Sequence, residues 1–275
     1  MINVYSRTPD WLFADLKAAL ETAGAVPSET PVEGAQCWIC IRTSEAALSP
    51  DLSRTIVQVH DMGDHDVGLL NGAGAVLFTH PLQLYLSQQR GFSGRYRVLP
   101  IGARRAVQSA IALPPKPTVG YFTGETGSRS KRSEMFAEAV AIARQSLSFD
   151  VLMIGRWLER IAGTGTWHDR AAGPLDYQSV DVLVTCSPSP GIPLSVYEAS
   201  AVGIPVVTTP RWFPKPDWPN IFTGDSAEDL AQHIVAILQN RASYFVRRAD
   251  NAVLPYAFDS WVSEQVALAR NIELS

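Results

Sequence analysis

Two hydrophobic patterns alternate along this chain of 275 residues, and their alternation limits the folds that it can adopt. Short apolar runs, typical of buried strands, are separated by longer segments whose apolar residues recur at helical spacing. Parallel strands need crossover connections, which are usually helices that cover both faces of the sheet. The alternation therefore predicts an α/β protein built on parallel sheet.

The strand-like segments fall into two series, separated by the proline-rich stretch Leu113–Pro117. Because proline fixes its φ angle and lacks an N–H donor, this stretch is typical of a stiff interdomain linker. We therefore predict two Rossmann-like domains, residues 1–112 and 118–258. Ligands of such sheets bind beyond the carboxyl ends of the strands, so we expect a site in the cleft between the two domains. The predicted strands are Ile2–Tyr5, Cys37–Ile41, Thr55–His60, Ala75–Thr79, Arg95–Pro100, Thr118–Phe122, Asp150–Ile154, Asp181–Thr185 and Pro205–Thr208.

Composition excludes several broad classes of protein. The net charge of −4, with only 18% charged residues, gives no overall attraction to nucleic acid or to an anionic membrane. No apolar run approaches the roughly 20 residues that span a bilayer. The first residues lack the basic and then apolar layout of a signal peptide. Three cysteines cannot all pair within one chain, so we expect a reduced, cytoplasmic protein.

Cys37 and Cys40 form a C-x-x-C motif, which is also found in metal and redox sites. Here the motif lies within a strand-like run, and alternation along a strand would point the two sulfurs to opposite faces. The sequence has no second cysteine pair to complete a zinc site. We interpret both residues as core cysteines.

The most informative segment is residues 181–209, where an apolar strand leads into a Ser/Pro/Gly turn, a short helix and a second strand. Backbone N–H groups at the start of a helix form a ready anion site, which suits a diphosphate. Glu198, within that helix, can accept hydrogen bonds from a ribose diol. Ser195 and Glu198 also have the spacing of a capping box, so a purely local role for Glu198 stays open.

A second anion site is predicted between Val119 and Arg132, where a strand and a glycine-rich turn precede a basic cluster and a helix. The alternative for this cluster is a solvated charged turn. A third polar segment, residues 60–66, follows a predicted strand and begins with His60. Its five histidine and aspartate side chains lack the defined spacing of a metal-binding loop, so we expect no metal. His60 is either a ligand contact or part of a solvated loop.

Together these segments resemble the GT-B glycosyltransferases of family 4, the retaining group 1 enzymes that use nucleotide-sugars, of which short members occur in phages and bacteria. The resemblance implies two Rossmann-like domains that face each other across a cleft, with the donor bound by the second domain. It further implies that the last helix, residues 259–275, packs back on the first domain. It is carried by Pro188-Ser189, Gly191, Leu194, Glu198-Ala199 and Gly203-Ile204-Pro205-Val206-Val207.

By this resemblance Glu198 would hold the ribose, and the turn before it would face the donor diphosphate. The implied donor-binding residues are Glu198, Gly191, Ile192, Leu194, Ser195 and Gly124.

The resemblance also implies the residues that would take part in catalysis. Arg129 and Lys131 would neutralise the diphosphate, with Arg132 standing where the family has glycine. His60 would face the transferred sugar, and Asp61 would contact the acceptor. No metal and no cofactor is implied other than the donor itself, for which a UDP-sugar is favoured.

One departure from the family pattern concerns the transferred sugar. The first glutamate of the family's pair, which contacts that sugar, is replaced by Pro190. Our expectation is a retaining transferase that moves a sugar to an unidentified acceptor, which would be a small molecule, a glycan or a modified DNA base. A non-catalytic nucleotide-sugar-binding protein is the first alternative, and an epimerase of nucleotide-sugars is another. For a phage-type DNA-base glycosyltransferase, Arg104-Arg105 and Arg247-Arg248 would contact the phosphate backbone.

Overall fold

Each half of the chain builds a six-stranded sheet in the computed structural model, and every strand pair in both sheets is parallel. The chain divides into a first unit, Met1–Ile101 with Tyr256–Ser275, and a second unit, Gly102–Pro255. The structure describes residues 1–7, 11–60, 65–101, 113–123, 132–156, 158–187, 194–209, 220–251 and 258–273.

The strand order within each sheet reverses once. The first sheet has the order β2-β1-β3-β4-β5-β6 and the second has the order β12-β11-β10-β7-β8-β9. The strands are β1 (Ile2–Tyr5), β2 (Val26–Ser28), β3 (Cys37–Cys40), β4 (Thr55–Val59), β5 (Ala75–Phe78), β6 (Tyr96–Val98), β7 (Thr118–Phe122), β8 (Asp150–Ile154), β9 (Thr166–His168), β10 (Val182–Thr185), β11 (Val206–Thr208) and β12 (Ile221–Thr223).

Helices follow most of the strands, as parallel crossovers require. They are α1 (Trp11–Thr22), α2 (Val67–Gly72), α3 (Pro81–Gln89), α4 (Ser133–Ala143), α5 (Pro174–Gln178), α6 (Leu194–Ala201), α7 (Ala227–Gln239), α8 (Arg241–Val246), α9 (Arg248–Asn251) and α10 (Phe258–Glu273). Short 3-10 helices occupy Thr43–Leu48, Leu52–Arg54 and Glu159–Thr164. None of the helices within the described ranges is long and apolar enough to cross a membrane.

In the first unit, strand alternation separates two faces of the sheet. Val57, Val59 and Phe78 point into one hydrophobic core. Ile56 and Gln58 therefore point to the opposite face, where α1 and α10 pack against the sheet.

In the second unit both faces of the sheet are covered. Helices α4 and α7 pack on one face over Val119, Val151 and Val182. Helix α6 packs on the other face, where Leu183 and Val196 share a second core. This double burial explains why the strands of the second unit are continuous apolar runs.

Arg241, which forms an ion pair with Asp181, also binds the proline-rich segment. Arg241 Nε donates to Asp181 Oδ1 at 3.1 Å, and its guanidinium also donates to the carbonyl oxygens of Pro114 and Lys116. The other oxygen of Asp181 accepts a hydrogen bond of 2.8 Å from the backbone N–H of Thr118. The ion pair thus holds the start of β7 beside the start of β10.

The predicted α/β class with parallel sheets is confirmed, and each of the nine predicted strands is present. Three strands were not predicted: β2, β9 and β12. Each has only three residues and lies at or next to a sheet edge, so it carries no apolar run for periodicity to detect.

Candidate functional site

The two anion-site motifs follow the two strands at which the order of the second sheet reverses. From β7 the chain proceeds outward through β8 and β9, and it then returns to place β10 on the other side of β7. Ligands of open parallel sheets bind at this kind of switch point, beyond the carboxyl ends of the two strands. In the sequence the glycine-rich segment follows β7 and the Ser/Pro/Gly turn follows β10, and these two strands are parallel neighbours in the sheet.

Glu198 lies on α6, the helix that follows β10, and it is 6% exposed. The hydroxyl of Tyr177 donates to Glu198 Oε2 at 2.5 Å. The ring of Tyr177 in turn packs edge-on against Phe122, the last residue of β7, with centroids 5.0 Å apart. Tyr177 therefore ties the carboxylate of Glu198 to the end of β7, at the switch point.

The start of α6 differs from the capping-box alternative. The helix begins at Leu194, so Ser195 lies in its first turn and not at the non-helical position that a capping serine occupies. Ser195 is half-buried, and Leu194 packs against Tyr197 and Ala201.

Arg132 has an unusual backbone conformation at the start of α4. Its φ of 49° and ψ of 47° are left-handed, a region that glycine adopts without the steric cost other residues incur. The family resemblance puts a glycine at this position, and this chain keeps the glycine-like conformation while adding a guanidinium.

The charge of Arg132 acts on the carboxyl end of β10. Burial raises the pKa of the Cys186 thiol to about 12, and the positive charge of Arg132 opposes that rise. Cys186 directly follows β10, so a cation at the head of α4 acts on the carboxyl end of that strand. Sequence reasoning assigned no role to this charge.

His60 directly follows β4 in the first unit and is half-buried. Its Nε2 lies 2.7 Å from Gln58 Oε1, and Gln58 Nε2 donates to Gln265 Oε1 on α10 at 2.5 Å. The histidine therefore stands at the carboxyl end of its strand, as predicted. Neither glutamine was predicted. Gln58 is a lone glutamine in an apolar strand and carries no motif, and Gln265 lies on a distant helix.

Several predicted residues cannot be placed. The following lie outside the residues that the structure describes: Asp61, Arg104, Arg105, Gly124, Arg129, Lys131, Pro190, Gly191 and Ile192. In the polar loop after His60, Asp66 is described, and its carboxylate caps α2 by accepting from the N–H groups of Gly68 and Leu69.

The two cysteines of the C-x-x-C motif are buried free thiols on β3. Burial raises the pKa of Cys40 to about 12, which keeps its thiol protonated at neutral pH. The structure thus agrees with the interpretation of core cysteines.

Arg248 does not fit the proposed phosphate-backbone contact. The side chain is 3% exposed and donates to the carbonyl oxygen of Val180 at 2.7 Å. Val180 precedes β10, so Arg248 is held at the amino end of that strand, away from the switch-point edge. The expectation that it contacts DNA is wrong, because Arg248 is buried where α9 begins and, of the two arginines, only Arg247 is exposed.

Residues 117–240 match the family model of glycosyl transferases group 1. No curated protein sequence gives a significant match to the chain. Among solved structures, sucrose-phosphate synthase from Thermosynechococcus elongatus has a TM-score of 0.73 at 15% identity, and the alignment covers 98% of each chain. WaaG, a glycosyltransferase involved in lipopolysaccharide biosynthesis, has a TM-score of 0.73 at 12% identity with 99% of each chain covered.

A third similar structure is a variant of S. aureus TarM in complex with Fondaparinux, alpha-GlcNAc-glycerol and UDP. It has a TM-score of 0.68 at 14% identity, and the alignment covers 85% of this chain and 55% of TarM. This chain thus spans about half the length of TarM. At such identities the structural matches establish the fold, and the match to the family model lies within the second unit. The chain therefore has the GT-B fold of these structures, and its residues 117–240 are similar to glycosyl transferases group 1.

Proposed function

We propose that this protein transfers a sugar, with retention, from a nucleotide-diphosphate donor that binds at the switch point of the second sheet. The observation that carries the proposal is Glu198, which is buried at that switch point and linked through Tyr177 to the end of β7. A buried carboxylate is costly to keep unless it serves as an acceptor, and a ribose diol supplies two donors.

The diphosphate would lie over the turn that follows β10, close to the head of α4. In the proposed mechanism, backbone N–H groups near Gly191 and the side chains of Arg129 and Lys131 stabilise the charge of the departing diphosphate. Arg132 adds a further cation at the head of α4. The leaving phosphate takes the acceptor proton, so the protein needs no general base, and His60 faces the sugar.

We further propose a UDP-sugar as the donor and a cytoplasmic location. A UDP ligand is named for the TarM structure, and the pneumococcal O-GlcNAc transferase GtfA was solved in complex with UDP and GlcNAc. The three cysteines are buried free thiols, which suits a reducing compartment. The acceptor would be a small molecule or a glycan, with a modified DNA base as the less supported choice because Arg248 is buried.

The test is a thermal-shift titration with UDP, GDP, ADP, CDP and TDP on the wild type, on Glu198→Gln and on Glu138→Gln. A ligand at 100 times its Kd adds about 2.7 kcal/mol of stability. We expect one nucleotide to stabilise the wild type and the control Glu138→Gln, whose glutamate is exposed on α4, and to stabilise Glu198→Gln much less. No stabilisation by any of the five would overturn the proposal.

A second candidate is a nucleotide-sugar-binding protein without transferase activity, and it is favoured by Pro190. Proline has neither an acceptor side chain nor a backbone N–H, so it cannot contact the sugar as glutamate does. Nucleotide binding without sugar transfer or donor hydrolysis, together with turnover in Pro190→Glu, would favour this candidate.

A further inference from the structure

Three side chains form a continuous row of hydrogen bonds that ends on His60. Gln265 Nε2 on α10 donates to the backbone carbonyl of Trp261 at 3.4 Å, and Gln265 Oε1 accepts from Gln58 Nε2 at 2.5 Å. Gln58 Oε1 in turn lies 2.7 Å from His60 Nε2. The row joins α10 to β4 across 207 residues of sequence.

The polarity of the row is fixed at its far end. A backbone carbonyl can only accept, so the amide NH2 of Gln265 must face Trp261 and its oxygen must face Gln58. Gln58 then presents its NH2 to Gln265 and its oxygen to His60. Flipping one amide would oppose two donors or two acceptors. Flipping both would put the oxygen of Gln265 against the Trp261 carbonyl oxygen.

We infer that this row holds His60 in the tautomer that carries its proton on Nε2, with Nδ1 unprotonated. The carbonyl oxygen of Gln58 needs a donor, and Nε2–H is the only ring group placed to supply one. Nδ1 is then the ring nitrogen that accepts a hydrogen bond or a proton. Gln58 and Gln265 are positioning residues, and they act on the site through His60.

The burial of the two glutamines supports a role beyond packing. Gln58 is 1% exposed and Gln265 is 0% exposed, in a face of the sheet where the neighbouring position of β4 is Ile56. Buried amides must satisfy both their oxygen and their NH2 group, whereas apolar side chains of similar size carry no such demand. The two amides and the histidine form a connected polar network across α10 and β4.

The tautomer of His60 does not depend on the reaction that the protein catalyses, whereas the catalytic role of that tautomer does. The catalytic meaning of an unprotonated Nδ1 rests on the proposed function, in which His60 faces the transferred sugar. The ring orientation and proton position can be measured without any substrate, so the two ideas can be separated.

The experiment is a long-range 1H–15N correlation spectrum of the uniformly labelled protein, which distinguishes the two neutral tautomers of a histidine. His60→Asn identifies the His60 signals among the five histidines. We expect the Nε2–H pattern in the wild type. In Gln58→Leu and Gln265→Leu we expect the signals of a tautomer mixture.

The matched control is Gln83→Leu. Gln83 is a buried glutamine of the same unit that bonds to Thr79 and to the backbone of His80, outside the row. Its loss should leave the His60 pattern unchanged even if the unit is destabilised. An Nδ1–H pattern in the wild type, or an Nε2–H pattern that survives both leucine variants, would overturn the inference. An Nε2–H pattern in a protein that transfers no sugar would keep the inference and count against the proposed function.

Discussion

The hydroxyl of Tyr177 donates to Glu198 Oε2, and this bond helps to position a buried carboxylate. The orientation of the Glu198 carboxylate therefore depends in part on Tyr177. The tyrosine belongs to α5, before β10, and the glutamate to α6, after it. The position of the Glu198 carboxylate therefore depends on both α5 and α6.

Tyr177→Phe should weaken the binding of ribonucleoside diphosphates by about tenfold, since a hydrogen bond to a charged group contributes about 1.5 kcal/mol. It should also reduce the preference for UDP over 2′-deoxy-UDP, because the carboxylate loses its orientation toward the diol. Calorimetric titration of both ligands measures the effect. Tyr121→Phe, at a buried tyrosine in the core beneath α4, should retain the full preference. Equal preference in all three proteins would refute the positioning role.

Arg132→Gly should stabilise the protein and weaken diphosphate binding at the same time. Glycine relieves a left-handed conformation that costs other residues about 1 kcal/mol, part of which is offset by its greater freedom in the unfolded chain. The lost charge should reduce affinity for UDP more than for UMP. Chemical denaturation and calorimetry measure the two effects. Asparagine also tolerates the left-handed region, so Arg132→Asn should show the same two effects. Unchanged UDP affinity in both variants would show that Arg132 does not contribute to diphosphate binding.

Breaking the ion pair between Asp181 and Arg241 should strongly destabilise the second unit. The Asp181 carboxylate is buried, so Arg241→Met removes its ion-pair partner, although an electrostatic interaction with Arg248 remains, and about 3 kcal/mol is typical for such a loss. Asp150→Asn is the control. It removes an ion pair between Asp150 and Lys116, whose side chains are 61% and 75% exposed, respectively. That loss should change stability by less than about 1 kcal/mol. Urea unfolding compares the two variants, and equal losses would contradict the argument.

Stability should fall as the pH drops below about 6.5, in part because of His80. Burial lowers the pKa of His80 from its ordinary value of 6.5, and its Nδ1 accepts the N–H of Leu82 at the start of α3. Below pH 6.5 the unfolded chain binds a proton that the folded state resists, so stability present above that pH is lost on acidification.

His80→Asn should keep the helix cap and flatten this pH dependence, since asparagine caps helices without titrating. Melting temperatures between pH 8 and pH 5.5 measure the slope. His168→Asn, at an exposed histidine of the second unit, is the control and should keep the wild-type slope. An unchanged slope in His80→Asn would assign the pH dependence to other groups.

The sequence was sufficient to predict the fold class because both sheets are parallel and buried, which leaves unbroken apolar strands separated by helical patterns. It also predicted that His60 would lie at the end of a strand and that Glu198 would lie on the helix that follows β10. Their partners were not predictable: Tyr177 and Gln265 lie far in sequence from the residues that they bind, and Gln58, two residues before His60, carries no motif. The reading of Arg248 was wrong for the same reason, since two adjacent arginines look equivalent until the fold buries one of them.

The first unit contains residues from both ends of the chain, whereas the second unit is continuous. During synthesis on the ribosome, the second unit is therefore complete before the first, although it comes later in the sequence. Strands β1 to β6 must wait for α10, whose packing covers the sheet and whose Gln265 completes the row to His60. Until then, of the two helices α1 and α10, only α1 can cover the face that bears Ile56 and Gln58, and the nascent protein at that stage is most in need of protection from aggregation.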